Sequence, residues 1–186
     1  MLKNIKIKQV LVGALLLSIV AGCMQKEFDN INILTDVQGD FAFGAEGETI
    51  PADTILSVYG DTILEDTNFF VDTLNISRDD VNQILSDEII LTVESGSANL
   101  RFLQGVEVYL LDADDLENEI LIGFQDTIIS TVGSSFELEL EPNDVKDIMF
   151  LSENVGIRTL FDLRSSVSTE IKTRVNIKLR VAGELE

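Results

Sequence analysis

A single β-sandwich is the fold class this sequence predicts, on three observations. Segment after segment in the second half alternates apolar and polar residues with a period of two, the mark of strands buried on one face only. Short acidic or glycine-bearing stretches separate these segments, and no Pro-rich or Ser-rich linker divides the chain. Several half-buried strands in one open sheet would leave an apolar face in water, whereas stacking two sheets hides both. The expected type is immunoglobulin-like or Greek-key, with a barrel as the alternative. The Cys…Trp…Cys pattern of true immunoglobulin domains is absent, since the 186 residues include one cysteine and no tryptophan.

The elements follow in order. Short strands are expected near residues 41–45, 54–59 and 68–75. Ile89, Leu91 and Val93 alternate with Glu88, Thr92 and Glu94. Val106, Val108 and Leu110 mark the next strand, and Ile120, Ile122 and Phe124 the one after. Phe136, Leu138 and Leu140 alternate with Glu137, Glu139 and Glu141. Ile157, Thr159, Phe161 and Leu163 mark another strand. The longest sets Ile171, Thr173, Val175, Ile177, Leu179 and Val181 against Lys172, Arg174, Asn176, Lys178 and Arg180. Two short crossover helices interrupt the strands. Ser77 is placed to cap Arg78–Leu85, where Val81, Ile84 and Leu85 form a stripe. Asn143 is placed to cap Asp144–Phe150, with Val145, Ile148 and Met149 inward. Each is too short to hold without packing on the sheets. Gly96 and Gly133 sit in Ser-rich turns that call for tight backbone geometry.

The N-terminus reads as an address. Lys3, Lys6 and Lys8 precede the apolar run Val10–Val20. Positive charge resists translocation, and the run is shorter than the roughly 20 residues that span a bilayer, so it fits an export signal rather than a membrane span. The residues Ser18-Ile19-Val20-Ala21-Gly22-Cys23 resemble a bacterial lipobox. That resemblance implies cleavage after residue 22, a diacylglycerol on the Cys23 sulfur and an acyl chain on its freed amine. One chain binds a membrane only marginally and a second makes the anchor stable, at about 0.8 kcal/mol per buried CH₂. Lys26-Glu27-Phe28-Asp29 resembles the surface-export signal of Bacteroidota lipoproteins, although Phe28 interrupts the acidic pair. The arrangement as a whole resembles the β-sandwich lipoproteins of that phylum, which implies an anchor and an outer-membrane location, facing either the surface or the periplasm, and says nothing of activity. The expected organisation is a cleaved signal peptide over residues 1–22, a tether over 23–32 and a sandwich domain over 33–186.

Composition excludes several functions. The leader holds three of the 13 basic residues and none of the 33 acidic ones, so the mature chain carries ten bases against 33 acids, a net charge of −23. A field of that sign repels nucleic acid. With Cys23 lipidated, no thiol remains for a disulfide. Histidine is absent, which removes Ser-His-Asp and Cys-His catalysis and histidine metal sites. Tyr59 and Tyr109 are the only tyrosines, so aromatic platforms for sugar rings are scarce, while ten phenylalanines are available for a core. No cofactor motif occurs: there is no Walker loop, no Gly-x-Gly-x-x-Gly and no Gly-x-Ser-x-Gly.

Three features remain. Asp112, Asp114, Asp115, Glu117 and Glu119 crowd between two strands. Calcium takes several carboxylates on a flexible loop, but the segment lacks the glycine and ligand spacing of an EF-hand, and a solvated hairpin tip explains it without a metal. Six of the ten mature bases lie between Arg158 and Arg180. They are expected to pair across strands with Glu137, Glu139 and Glu141, or else to form a basic docking stripe. Thirty-three acids also supply carboxylate pairs for glycoside hydrolysis, although no feature selects one pair. The expectation is a lipid-anchored, non-catalytic binding or accessory module for an envelope protein or glycan. A carboxylate-dependent glycan hydrolase and a structural surface or fimbrial subunit are the alternatives.

Overall fold

The computed structural model describes residues 30–60, 76–129, 132–152 and 154–184. Cys23, the leader and the strand expected near 68–75 lie outside the described residues. Within them the chain forms β1 (Asn30–Phe43), β2 (Ile55–Tyr59), β3 (Val81–Ser95), β4 (Leu103–Asp112), β5 (Asp115–Gln125), β6 (Ser135–Glu137), β7 (Glu139–Leu140), α1 (Lys146–Leu151), β8 (Val155–Leu163) and β9 (Ile171–Glu184). One antiparallel sheet has the order β1-β9-β3-β6 and the other β2-β8-β4-β5-β7. Their inner faces bury a common core, so the molecule is a β-sandwich. β1 begins at Asn30, three residues before the expected start of the domain at Ile33.

The pairing is nested. β1 pairs β9, β2 pairs β8, β3 pairs β6 and β4 pairs β5, outermost strand with outermost strand. The β9–β3 and β8–β4 pairings then join these ribbons into sheets. Successive strands β1 to β4 alternate between the sheets. This is the jelly-roll form of the Greek key, not the immunoglobulin order. Its one tight hairpin among the described residues is Ala113-Asp114 between β4 and β5.

The helix expected over Arg78–Leu85 does not form. Ser77 donates from both N and Oγ to Asp80 Oδ2, at 2.8 and 2.6 Å, closing a turn, and the chain then enters β3. Pairing with β9 supplies a full ladder of hydrogen bonds where an isolated eight-residue helix would be marginal. The three-residue spacing of Val81 and Ile84 suggested a helix, but bulges shift the register between Val81 and Gln83 and between Ser86 and Glu88. Each bulge adds one residue. Val81, Ile84, Ile89 and Leu91 therefore all face inward on a strand, and Leu85 is only half-buried.

The second expected helix is present as α1, starting two residues late. Asn143 does not cap it; its Nδ2 donates to the Leu121 carbonyl at 2.9 Å. Asp144 Oδ1 instead accepts from Lys146 N and Ile84 N, each at 2.9 Å, tying the helix start to β3. Val145, Ile148 and Met149 are buried, as the stripe predicts. The segment Phe136–Leu140, expected as one strand, divides between sheets. β6 pairs β3, β7 pairs β5, and Leu138 fills the core at the crossing.

Phe161 on β8 sits at the centre of the core, edge-on to Phe41 of β1 at 6.0 Å and tilted against Phe43 at 4.9 Å. Such contacts add about 0.5–1.5 kcal/mol per pair beyond area burial and here bind one sheet to the other. Gly96 has φ +83, and a Cβ there would lie 1.9 Å from the Glu170 carbonyl oxygen, so the turn requires glycine. Gly133 has open space around its Cα and meets no such limit.

Two inward threonines complete the alternation. Thr159 and Thr173 are 0% and 1% exposed, and neither Oγ1 has a hydrogen-bond partner among the described residues. An unpaired buried hydroxyl costs about 1–3 kcal/mol, whereas an apolar group of the same shape does not. Thr159→Val, between Val58 and Val108 on the neighbouring strands, is therefore expected to stabilise the domain by about 1 kcal/mol. For a domain of this size that raises Tm by roughly 2–4 °C, readable by thermal unfolding followed by circular dichroism.

Candidate functional site

β9 is one of the two inner strands of its sheet, and its sequence alternates without a break. Ile171, Thr173, Val175, Ile177, Leu179, Val181 and Gly183 are buried, and the residues between them face out. This sends Lys172, Arg174, Lys178 and Arg180 to the outer face, between β1 and β3. Their counter-charges come from those neighbours and from the preceding turn. Arg174 binds Asp40 through two bonds, Nε to Oδ1 at 2.7 Å and Nη2 to Oδ2 at 3.2 Å, and lies 3.7 Å from Glu94. Lys178 pairs with Glu88 at 2.7 Å, Arg180 with Asp87, and Lys172 with Glu170 at 3.5 Å.

The expected ladder with Glu137, Glu139 and Glu141 does not exist. β3 stands between β6 and β9, and β7 belongs to the opposite sheet. A free basic stripe does not exist either, because every outward cation of β9 has an acid beside it.

At one end of this face lies a groove of about 420 Å³. Asp40 and Ala42 of β1, Glu94 of β3, and Lys172 and Arg174 of β9 line it, and Tyr59 reaches it from β2 of the other sheet. Ala42 lies opposite Lys172 in the register, so a methyl occupies a row whose neighbours are long side chains. Gly60 follows Tyr59 because the chain passes close to β1. A Cβ on Gly60 would lie 2.9 Å from the Phe41 ring and 3.3 Å from the Asp40 carbonyl oxygen. Tyr59 is half-exposed at 51%. The hydrogen bonds from Arg174, with its positive charge, hold the Asp40 carboxyl below the usual carboxylate range, against a smaller opposing effect of burial.

The outer face of the other sheet carries a second cluster. Arg158 of β8 lies opposite Tyr59 on one side and Tyr109 on the other. The two tyrosines of the chain thus flank one arginine in a single cross-strand row. Arg158 donates to Glu119 from Nε and Nη2, one edge of its guanidinium, at 2.6 and 2.5 Å, and the guanidinium stands 4.4 Å from the centre of the Tyr109 ring. Tyr109 Oη donates to Glu107 at 2.5 Å. This cluster is closed, with each charge used internally. Two further concavities are smaller: about 140 Å³ beside Glu107 and Asp162, and about 300 Å³ lined by Ile128, Ile129, Val132 and Phe136.

The acids considered for calcium are dispersed. Asp112 Oδ1 accepts from Asp114 N at 3.0 Å, and Asp115 Oδ1 from Glu117 N at 3.3 Å, both short-range turns of the backbone. Asp114 accepts from Asn154 at 3.0 Å, and Glu119 is committed to Arg158. No three acids among the described residues converge on a metal-sized point. Cys23, the expected lipidation site, lies outside the described residues.

Sequence reasoning had both Arg174 and Tyr59 in view but not their meeting, and it passed over Asp40. Asp40 sits among many scattered acids, and only the β1–β9 register selects it.

No family model and no curated protein matches the chain. Among solved structures it is similar to turnip yellow mosaic virus at 100 K, with 13% identity over 84% of this chain and 95% of that one and a TM-score of 0.31. It is similar also to the Kashmir bee virus empty particle at acidic pH, with 10% identity over 86% and 94% and a TM-score of 0.31. The 60-mer BFDV capsid protein gives 9% over 84% and 95%, with a TM-score of 0.30. Likenesses this distant carry no argument about function, and the jelly-roll order rests on the hydrogen-bonded register alone.

Burial, the bond to Glu107 and its charge push the Tyr109 phenol up to about 12 from 10.0. Between these values the unfolded chain has lost the proton and the folded chain has kept it. The associated stability is complete below pH 10 and is lost as pH rises through about 12. In Tyr59→Phe, where Tyr109 is the one phenol left, ultraviolet titration of phenolate should show a midpoint near 12, and unfolding by denaturant should become easier over the same interval.

Proposed function

We propose that this chain is a lipid-anchored protein of the bacterial cell envelope, held in the outer membrane through Cys23, and that its jelly-roll domain is a non-catalytic binding or accessory module. The observation that carries the binding role is the groove beside Tyr59. It brings the half-exposed Tyr59 of one sheet beside the hydrogen-bonding groups of Asp40, Glu94, Lys172 and Arg174 of the other, in a size range typical of ligand sites, about 300–1,000 Å³. The anchoring role rests on the leader and on Ala21-Gly22-Cys23.

Binding is favoured over hydrolysis by the chemistry of the same groove. A glycoside hydrolase needs one carboxyl kept protonated at working pH as general acid. Asp40 is shifted the opposite way, and Arg174 stands between it and Glu94. Such a constellation orients a ligand, and its Asp40 is held as the carboxylate rather than as a general acid.

The anchor is tested by Cys23→Ser. The wild-type protein is expected in the membrane fraction, with a mature N-terminal residue heavier by a diacylglycerol and an acyl chain in mass spectrometry; the variant should be soluble or unprocessed. A bare thiol on the native N-terminus would end the anchoring reading. The binding role is tested by capture from intact envelopes with the acylated protein as bait, where reproducible recovery of no component counts against it.

A further inference from the structure

We propose that the groove formed by Asp40, Tyr59, Glu94, Lys172 and Arg174 binds an uncharged glycan. The inference rests on the reading of the domain as a binding module and names its ligand class.

Local charge is the first reason. The mature chain is strongly acidic, yet this groove holds two carboxylates and two cations. Asp40 and Arg174 neutralise one another through two hydrogen bonds, Glu94 lies 3.7 Å from the same arginine, and Lys172 is paired with Glu170 at 3.5 Å. An anionic ligand would have to approach through the field of the whole protein, and a cation would meet carboxylates already paired with Arg174 and Lys172. A neutral ligand meets neither obstacle.

Shape and donor chemistry are the second reason. Tyr59, half-exposed on the edge strand β2, borders the groove, while Arg174, Lys172, Asp40 and Glu94 offer donors and acceptors side by side. A ligand matching both has a flat apolar face and a periphery of neutral hydroxyls that donate and accept, which describes a pyranose ring. The guanidinium and carboxylate of the Arg174–Asp40 pair are planar and mutually fixed, so neighbouring hydroxyls are met by groups already ordered before binding. The Tyr109–Arg158–Glu119 cluster has the same residue types but lacks this capacity, because its ring is covered by its own arginine.

The absence of tryptophan makes the site readable directly. In full-length acylated Tyr109→Phe, all intrinsic emission comes from Tyr59. Titration with cellohexaose, maltohexaose and mannohexaose is expected to change that emission saturably for at least one of them. Polygalacturonate and chitosan oligomers, the anionic and cationic counterparts, should bind at least tenfold more weakly. Calorimetry on Tyr59→Ala should show at least a tenfold loss of affinity, which is about 1.4 kcal/mol, at unchanged melting temperature. Arg174→Lys keeps the charge but loses the planar fork, and a several-fold loss is expected.

The proposal is overturned if no neutral oligosaccharide perturbs Tyr59, if affinity survives Tyr59→Ala, or if only the charged polymers bind. Should envelope capture yield a protein whose retention Tyr59→Ala abolishes, with no saccharide bound, the ligand class is wrong and the binding module stands. Should neither saccharide nor envelope component be retained, both readings fall.

Discussion

The position of β9 between β1 and β3 constrains everything built around it. An interior strand must bury one face against the opposite sheet and leave the other beside two neighbours. Seven alternate positions of β9 are inside, and two of the strands that complete the sheet take their register from it. The outward positions carry four cations, and Asp40, Asp87, Glu88 and Glu94 on the flanking strands meet three of them. A slip of one residue would send every apolar side chain outward and break the charge matching at once. Exposed pairs of this kind contribute about 0–1 kcal/mol each, so their value lies less in stability than in rejecting the wrong register.

Nested pairing follows from the same constraint. Strand β9 closes the chain by returning to β1 and β3, and the intervening segments must cross between sheets to meet their own partners. The crossing points are where local rules bend. Bulges in β3 let residues three apart face one core. Leu138 passes from one sheet to the other with a single residue between strands. The aromatic contacts of Phe161 with Phe41 and Phe43 then bind the layers together without disulfides.

The same geometry makes two tyrosine environments from one residue type. Tyr109 lies beneath Arg158, tied to Glu107, with its phenol hard to ionise. Tyr59, in the same row across Arg158, sits on an edge strand and stays half-exposed beside the groove. The first is used up by its neighbours. The second has a free ring beside ordered polar groups, and that difference separates a structural cluster from a candidate ligand site.

The amino-acid sequence by itself determined the layered β architecture, the position of most strands and the inward face of each strand from β8 onward, and it supplies the pattern from Lys3 to Cys23 on which the proposed anchor rests. These are local properties: period, charge order and small residues at fixed offsets all lie within a few positions of one another. Tertiary structure alone decided which strands are neighbours. Glu137 and Asp40 look equally suited to pair with a basic strand, and only the sheet order makes Asp40 the partner of Arg174. Residues 81–85 carry a helical spacing that long-range pairing with β9 overrides through two bulges. The groove depends on residues from β1, β2, β3 and β9 brought together from both sheets. Its residues are separated by up to 134 positions, a distance over which periodicity and composition carry no information.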